Sequence, residues 1–320
     1  MTAPQRQPLS LRISVTDRCQ LRCVHCMPPE GVAKLPHEDI LTFEEILHFV
    51  RIAKARFDLS KVHVTGGEPL VRANVVRLVR MLAGEGIPDL VLTTNGQALA
   101  RKAAALRRAG LQRINVSLPS LDEKTYSELT RGGILGRTLR GIAGAQAAGL
   151  ALVKLNAVIL RGWNDGEIER LAAFALERGC TMRFLELMPI GCARAVAADR
   201  FVPAAEIRRR LEGAFALTPL AYEPGRSSRD FMAEDRRGRR GVIGFISSET
   251  EPFCAGCARL RLTSTGEVIG CLSRGRGISI RGFLRSNQDE RVAAAIRRVV
   301  ADKGRRPDFR TRRPMVAVGG

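Results

Sequence analysis

The chain has 320 residues and a mass of 35.0 kDa, 45% of its residues are hydrophobic, and 52 basic against 32 acidic side chains give a formal charge of +20. This length and apolar content suffice for a large core, and the lack of any run of eighteen apolar residues excludes a membrane-spanning helix. The charge attracts anions such as nucleic acid, an acidic membrane surface or a polyphosphate, but an aromatic content of only 5% disfavours a base-stacking nucleic-acid binder.

Six segments rich in Val, Ile and Leu alternate with helical patterns through the first two thirds of the chain. The predicted strands are residues 11–17, 61–67, 89–96, 113–120, 152–160 and 182–191, and the predicted helices between them include 43–55, 74–82, 102–109 and 166–178. Thr42 and Glu45 form a capping-box pattern at the first of these helices. Strand–helix alternation of this kind predicts an α/β fold with a parallel sheet, here an incomplete (β/α)6 barrel resembling a TIM barrel.

The pattern changes after residue 220. Residues 241–247 and 259–273 read as antiparallel strands, the second segment with a turn at 264–266, and a last helix is predicted at 290–301. We therefore expect a partial barrel at 8–220 and a C-terminal antiparallel β/helical domain at 221–320.

Polar and cysteine-containing motifs follow the predicted strands where a βα fold places functional groups. A cysteine cluster follows the first strand, "TGGEP" the second, "TTNG" the third and "SLPS" the fourth. These motifs should meet at one end of the barrel.

The cluster after the first strand consists of Cys19, Cys23 and Cys26 in the spacing C-x3-C-x2-C. One interpretation is a structural zinc site completed by His25 or by a distant cysteine, but neighbours such as His25 and Cys26 rarely bind one tetrahedral metal together. Thiolates this close in sequence are typical of iron–sulfur clusters. Three thiols are one short of the usual tetrahedral set.

A second set of three consists of Cys254, Cys257 and Cys271. Half of a zinc ribbon is the alternative, but a ribbon needs a second pair of ligands, and the two remaining cysteines, Cys180 and Cys192, form no such pair. The pattern therefore favours a second cluster that is again one ligand short. The eight cysteines and the lack of an apolar segment at the N-terminus predict a reducing, cytoplasmic location.

The first cysteine spacing followed by Gly66-Gly67-Glu68-Pro69 resembles the radical S-adenosylmethionine (SAM) enzymes. The second set, with "LRISVTDRC", "CMPPEG", "RFLELMP", "GFIS" and the terminal Gly-Gly, resembles one family among them, the GTP 3′,8-cyclases of molybdenum-cofactor biosynthesis. The resemblance covers nearly the whole chain. It implies two [4Fe-4S] clusters, SAM as cofactor, and a radical that takes the 3′ hydrogen of GTP before the 3′ carbon attacks guanine C8, giving 3′,8-cyclo-7,8-dihydro-GTP.

The same resemblance implies roles for individual residues. SAM would contact His25, Gly67, Ser117 and the backbone of Met188, and the Gly319-Gly320 tail would reach into the pocket. Arg259 or Arg261 would assist the last electron and proton transfer. The substrate-binding set would be Arg12, His63, Thr93, Lys154, Arg183, Arg259, Leu260 and Arg261.

Three positions depart from the family pattern. His63 stands where an arginine is common and would bind phosphate less strongly, Pro119 stands where Asp is usual, and Ala258 stands where Asn is usual. Neither Pro119 nor Ala258 touches a cysteine, so we expect activity to survive these two departures.

The resemblance also implies partners: the GTP substrate, an electron donor, and a cyclic pyranopterin monophosphate synthase that receives the product. A homodimer is a further expectation, whereas a membrane and nucleic acid are not expected. Two alternatives remain open, a radical SAM enzyme that modifies peptides with an auxiliary cluster, and a zinc- or cluster-containing nucleic-acid-binding protein. The first usually needs more C-terminal cysteines than three.

Overall fold

The computed structural model describes residues 6–150, 153–223, 225–273, 277–303, 309 and 311–319. Within these residues, six parallel strands follow one another in chain order and in space. They are β1 (Pro8–Ser14), β2 (Asp58–Thr65), β3 (Leu90–Thr94), β4 (Arg113–Ser117), β5 (Val153–Val158) and β6 (Thr181–Leu185). This confirms the predicted six-stranded parallel arc.

Helices connect the strands and cover the outer face of the arc. They are α1 (Phe43–Arg56), α2 (Val75–Gly84), α3 (Leu99–Arg108), α4 (Glu123–Thr130), α5 (Leu135–Ala147) and α6 (Ile168–Glu177). The predicted capping box is present at α1, where the Thr42 side chain accepts from the Glu45 amide and the Glu45 carboxylate accepts from the Thr42 amide. The sequence analysis missed α5, because its three glycines lower the helical propensity of the segment.

The chain after β6 contains the remaining elements. They are α7 (Arg194–Arg200), α8 (Ala204–Glu212), β7 (Phe215–Pro219), β8 (Arg229–Asp235), β9 (Arg240–Ile246), β10 (Arg259–Leu262), β11 (Glu267–Ile269), β12 (Gly277–Ser279), α9 (Arg281–Arg285), α10 (Asp289–Ala301) and α11 (Met315–Val318). The antiparallel pairs β7–β8, β8–β9, β10–β11 and β11–β12 confirm the predicted change of pattern.

These later strands continue the sheet of the barrel at both of its edges. β9 pairs parallel with β6, and β10 pairs parallel with β1, so one twelve-stranded sheet runs in the order β12-β11-β10-β1-β2-β3-β4-β5-β6-β9-β8-β7. Strands from the later part of the chain therefore pair with both edges of the arc.

The main hydrophobic core lies between the arc and its helices. Alternate residues of β1, such as Leu9, Leu11 and Ile13, are almost fully buried in it. Because side chains alternate along a strand, Ser10, Arg12 and Ser14 face the opposite, concave side, which we call the lumen. No helix among the described ranges is long and apolar enough to cross a membrane.

Candidate active site

Polar side chains from neighbouring strands form a row across the lumen. The strand register pairs Arg12 of β1 with His63 of β2 on one side and with Arg261 of β10 on the other. The row continues through the register pairs Thr93–Asn115, Asn115–Lys154 and Asn156–Arg183. The row thus draws on seven strands, and every member except Asn115 and Asn156 was predicted from the sequence.

The cations in this row repel one another. Burial, followed by the charges of Arg261, Arg259 and Arg183, lowers the pKa of Arg12. Burial and Arg259 lower the pKa of Arg261 to about 10, and burial and Arg183 lower that of Lys154 to about 8. Such a cluster is unfavourable unless an anion joins it.

Several buried polar atoms of this region have no hydrogen-bond partner among the described residues. They include Nε of Arg183, Nε of Arg261 and Oδ1 of Asn156. Buried donors without partners are costly, and charge-assisted bonds to phosphate oxygens would satisfy the two guanidinium groups. The lumen therefore suits a polyanionic ligand.

His63 lies in the middle of the row as a neutral ring. Burial, then Arg12 and Lys61, lowers its pKa well below the usual value. Arg12 donates to Nδ1 at 3.5 Å, so the proton lies on Nε2, which donates to Thr93 Oγ1 at 2.5 Å. His63 therefore orients Arg12 and Thr93 and adds no positive charge to the row.

The first cysteine set lies on the loop that follows β1. Burial raises the pKa of Cys19 to about 11 and that of Cys23 to about 12, and it raises the pKa of Cys26 well above its usual value. The negative charges of Cys23 and Cys19 add to the effect at Cys26, so the three thiols are near neighbours. Thiols with pKa values raised this far stay protonated unless a cation binds them, so ionisation of all three would accompany metal binding.

No group of three or more His, Cys, Asp or Glu side chains in the described part of the chain could hold a single metal ion. All eight cysteines lie in the described ranges, and none forms a disulfide.

The motif after β2 holds this loop in place. The Gly67 amide donates to Thr16 O at 2.7 Å, and the Glu68 amide donates to Arg18 O at 2.8 Å. A Cβ at Gly67 would lie 2.5 Å from Arg18 O, closer than van der Waals contact allows. Gly67 thus permits the close approach of the backbone that leads into Cys19.

The C-terminal segment also contacts the first cysteine loop. The Met315 amide of α11 donates to Cys26 O at 3.1 Å, and Val318 is fully buried beside Ile190. Gly319 has a left-handed backbone, and a Cβ there would lie 3.0 Å from Cβ of Ser14 on the lumen side of β1. The predicted tail therefore enters the barrel as far as Gly319, while Gly320 lies outside the described residues.

The second cysteine set lies near the start of β10. Burial and the neighbouring Cys271 and Cys257 raise the pKa of Cys254, so these three thiols are also near neighbours. Burial opposes ionisation of Cys257, but Arg259 and Lys303 outweigh it and lower its pKa. The Lys303 ammonium donates to Cys257 O at 2.7 Å.

The two sets lie at opposite ends of the lumen. Arg259, just after Cys257, is in register with Ser10 near the start of β1, whereas the first set follows the end of β1. A strand of this length separates its ends by roughly 20 Å. The row of cations lies between the two sets.

The other predicted residues occupy distinct environments. His25 is half-buried, desolvation lowers its pKa to about 4, and its Nδ1 has no hydrogen-bond partner among the described residues. Ser117 ends β4, next to Asn156 of β5, and the carbonyl of Met188 accepts from the Ile190 amide at 2.8 Å. The Leu260 side chain is fully buried in the main core, so only its backbone could reach a substrate.

Two residues that hold the first cysteine loop were missing from the sequence analysis as site residues. Glu68 is buried, which raises its pKa to about 7, and its carboxylate accepts from the Asn95 amide and from Thr94. The Asn95 side chain in turn donates to Cys19 Sγ at 3.7 Å. Both lie in quoted motifs, "TGGEP" and "TTNG", so their position at strand ends was the available signal.

Comparison with protein families gives two matches that together span most of the chain. Residues 13–175 match the Radical SAM superfamily, and residues 180–309 match the family described as Molybdenum Cofactor Synthesis C. The first match includes the first cysteine set, and the second match includes the second set.

Curated relatives align over almost the full chain. A GTP 3′,8-cyclase of Pelotomaculum thermopropionicum is 45% identical over 99% of this chain and 98% of its own length. The GTP 3′,8-cyclase of Acidothermus cellulolyticus is 48% identical over 90% of this chain and 82% of its own length. That of Geobacter sulfurreducens is 44% identical over 92% of this chain and 90% of its own length.

Solved structures support the fold. Streptococcus suis SuiB bound to S-adenosylmethionine superposes with a TM-score of 0.63 at 17% identity, covering 91% of this chain and 68% of that chain. SuiB bound to its precursor peptide SuiA gives 0.59 at 17% identity, covering 83% of this chain and 60% of that one. The family matches and the relatives together establish that this chain belongs to the GTP 3′,8-cyclase family of the radical SAM superfamily.

Proposed function

We propose that this chain cyclises GTP to 3′,8-cyclo-7,8-dihydro-GTP, the first step of molybdenum-cofactor biosynthesis. One observation carries the proposal: the lumen contains a row of mutually repelling cations, two of which keep a buried Nε without a hydrogen-bond partner among the described residues, and a set of three cysteines lies at each end of this row. The names of the curated relatives also favour the cyclase over a peptide-modifying enzyme.

The triphosphate is proposed to bind in the row of cations. Arg12, Lys154 and Arg183 would donate to phosphate oxygens, while His63 would hold Arg12 and Thr93 in position as a neutral ring. Binding would satisfy the unpaired Nε of Arg183 and end the repulsion among the cations.

Membership of the superfamily brings a [4Fe-4S] cluster and SAM, and the family brings a second cluster. We propose that Cys19, Cys23 and Cys26 hold the first cluster and that Cys254, Cys257 and Cys271 hold the second. When bound, the first cluster and SAM supply the 5′-deoxyadenosyl radical. The second cluster would bind the guanine edge of GTP.

We propose that SAM lies beside Gly67 and Ser117, with the ring of His25 near its adenine and the backbone of Met188 in contact with it. The buried Nδ1 of His25, which has no hydrogen-bond partner among the described residues, supports a ligand at that position. Close packing at Gly67 fixes the backbone against which the ligand would lie.

Arg259 and Arg261 are proposed to contact GTP near its sugar, with Leu260 taking part only through its backbone. A guanidinium whose pKa is lowered to about 10, as at Arg261, releases a proton more readily than a solvated one. This supports a role for Arg261 in the last protonation step.

Further proposals concern partners and location. We propose a one-electron donor, transfer of the product to a cyclic pyranopterin monophosphate synthase, a homodimer and a cytoplasmic location. Eight free cysteines support a reducing compartment. The division at residues 220 and 221 also stays a prediction, since strands from beyond it complete the sheet of the barrel.

The test is anaerobic reconstitution followed by incubation with SAM, a chemical reductant and GTP. We expect about eight irons per chain, from two four-iron clusters, together with 5′-deoxyadenosine and a cyclised nucleotide. Cys254→Ser should keep SAM cleavage but lose cyclisation, whereas Cys180→Ser should behave as wild type. Zinc as the tightly held metal, with no SAM cleavage, would refute the proposal.

A further inference from the structure

A cleft of about 270 Å³ lies on the outer face of the barrel and is lined by three arginines. Its lining residues are Gln97, Ala98, Ala100, Arg101, Arg137 and Arg140. The three guanidinium groups are exposed, and none has an ion-pair or hydrogen-bond partner among the described side chains. None of the described residues that line this surface is acidic, and we call it the arginine cleft.

The cleft has a well-defined shape because small residues bring its two helices together. A Cβ at Gly141 of α5 would lie 2.7 Å from Gly96 O, and a Cβ at Gly144 would lie 3.3 Å from Cα of Ala100. The Gln97 amide group donates to Ile134 O at 2.9 Å and to Thr138 Oγ1 at 2.8 Å, which joins the start of α3 to the start of α5. The arginines therefore project from a rigid base.

The arginine cleft lies beside the first cysteine set. α3 begins just after β3 and α5 begins at Leu135, so both helices start at the barrel end where the set follows β1. A continuous chain of hydrogen bonds joins the cleft to the first cysteine set. The backbone amide of Gln97 donates to Asn95 Oδ1 at 3.0 Å, and Asn95 Nδ2 donates to Cys19 Sγ at 3.7 Å. The cleft thus combines strong positive charge with a short route to a thiol.

We propose that an acidic protein that donates one electron docks on the arginine cleft and delivers its electron towards Cys19 through Asn95. The inference rests on the proposed function, because it assigns the electron acceptor to the cluster held by Cys19, Cys23 and Cys26. The flavin or iron–sulfur centre of the donor is oxidised by one electron and that cluster is reduced by one, with no bond made or broken. Complementary charge makes such an encounter fast and dependent on salt.

The test measures binding and electron transfer separately, with the reconstituted enzyme and a reduced bacterial flavodoxin as an acidic one-electron probe. Fluorescence anisotropy gives the affinity at low and at high salt, and stopped-flow absorbance gives the rate of cluster reduction. We expect R101E/R137E/R140E to weaken binding and slow reduction by about tenfold or more at low salt, with little difference at high salt. Cyclisation driven by a chemical reductant should be unchanged.

The matched control is R80E/R209E/R297E, which changes the net charge equally at three exposed arginines on α2, α8 and α10. It should alter the affinity by no more than about twofold, because these residues lie elsewhere on the surface. R101Q/R137Q/R140Q serves as a milder second variant and should weaken flavodoxin binding less than R101E/R137E/R140E does.

The outcomes separate the two proposals. The docking site would be overturned if both cleft variants bound flavodoxin as tightly as the wild type does. It would also be overturned if R101E/R137E/R140E and the control R80E/R209E/R297E weakened flavodoxin binding equally. A further contrary result is that the wild type binds a single-stranded RNA more tightly than flavodoxin and loses that binding in the cleft variants. This result would assign the cleft to nucleic acid and would also overturn the docking of an electron donor. Failure of cyclisation with a chemical reductant would count against the proposed function alone, since flavodoxin binding remains measurable.

Discussion

Arg12 illustrates how the lumen is prepared for a ligand at the scale of single residues. Burial and the guanidinium groups of Arg261, Arg259 and Arg183 all lower its pKa, and its partner in the row, His63, is neutral. The unliganded protein therefore bears an electrostatic cost that an anion removes. Stability and binding oppose each other here, as they commonly do in active sites.

Arg12→Met is expected to leave the unliganded protein as stable as wild type or more stable, because it removes one buried charge from a repelling group. The affinity for GTP should fall about 10- to 100-fold, the loss expected for a charge-assisted hydrogen bond. Thermal unfolding with and without GTP measures both effects, and exposed Arg80→Met is the control. Unchanged stabilisation by GTP would remove Arg12 from the triphosphate site.

Lys154 provides a pH-dependent signature. Its folded-state pKa of about 8 lies below the unfolded value, so between pH 8 and about 10.4 the unfolded chain binds more protons. This group alone therefore makes the unliganded protein more stable as the pH rises through that window. A neighbouring triphosphate would raise the pKa again, so GTP binding should take up a proton above pH 8.

Calorimetry of GTP binding at pH 8.5, in buffers of different ionisation enthalpy, measures that proton uptake. Because GTP binding takes up a proton, the affinity of the wild type for GTP should decline above pH 8. We expect Lys154→Met to take up fewer protons on binding GTP and to show no such decline. Lys102→Met, on the outer helix α3, is the control. Equal proton uptake in Lys154→Met and wild type would contradict the assignment.

Among the elements, the loops after β1 and β2 depend most on each other. Gly67 allows two backbone segments to approach, and Glu68 links both to Asn95 after β3. The first cysteine set is thus held by the ends of three neighbouring strands. A change in the β2 loop should therefore affect iron binding even though no ligand is altered.

Gly67→Ala is expected to displace the Arg18 backbone, because the new methyl group would lie 2.5 Å from its carbonyl oxygen. Strain of this kind typically costs about 1–3 kcal/mol and should lower the iron retained by the first set. Iron analysis and thermal unfolding measure the two effects. Gly84→Ala is the matched control, since its Cβ meets nothing within 4 Å and the change favours the helix α2. Equal iron content in the two variants would refute the coupling.

The sequence predicted the repeated elements of the fold and the residue types of the site. Hydrophobic periodicity marks β1 to β6, and cysteine spacing marks both ends of the lumen. The sequence did not reveal that β9 and β10 pair with opposite edges of the arc, because pairing between distant strands leaves no periodic signal. Glu68 and Asn95 were missed as supports because their partners are set by the tertiary structure.

Viewed as a whole molecule, the C-terminal segment is part of the barrel. Val318 is fully buried with Ile190, Ile269 and Leu272, and α11 contacts the first cysteine loop through Met315 and Cys26. Residues near the end of the chain thus cover a loop near its start. Release of this segment should expose the first set to solvent.

Val318→Asp is expected to undock α11, because a buried carboxylate without a partner costs roughly 2–3 kcal/mol or more. The first set should then lose iron to a chelator faster than in the wild type, while the second set is less affected. Leu220→Asp, at a position 38% exposed, is the control. Iron loss at the wild-type rate in Val318→Asp would show that the segment does not protect the loop.

The placement of β9 and β10 has a consequence for biosynthesis. A ribosome completes β1 to β6 well before residues 240–262, so a nascent chain carries two unpaired strand edges for that interval. Unpaired edges promote aggregation, and contacts between distant segments form slowly. Until β10 joins β1, the lumen is also open along its side. Chaperone supply and slow, cool expression should therefore govern the yield of this protein more than its final stability does.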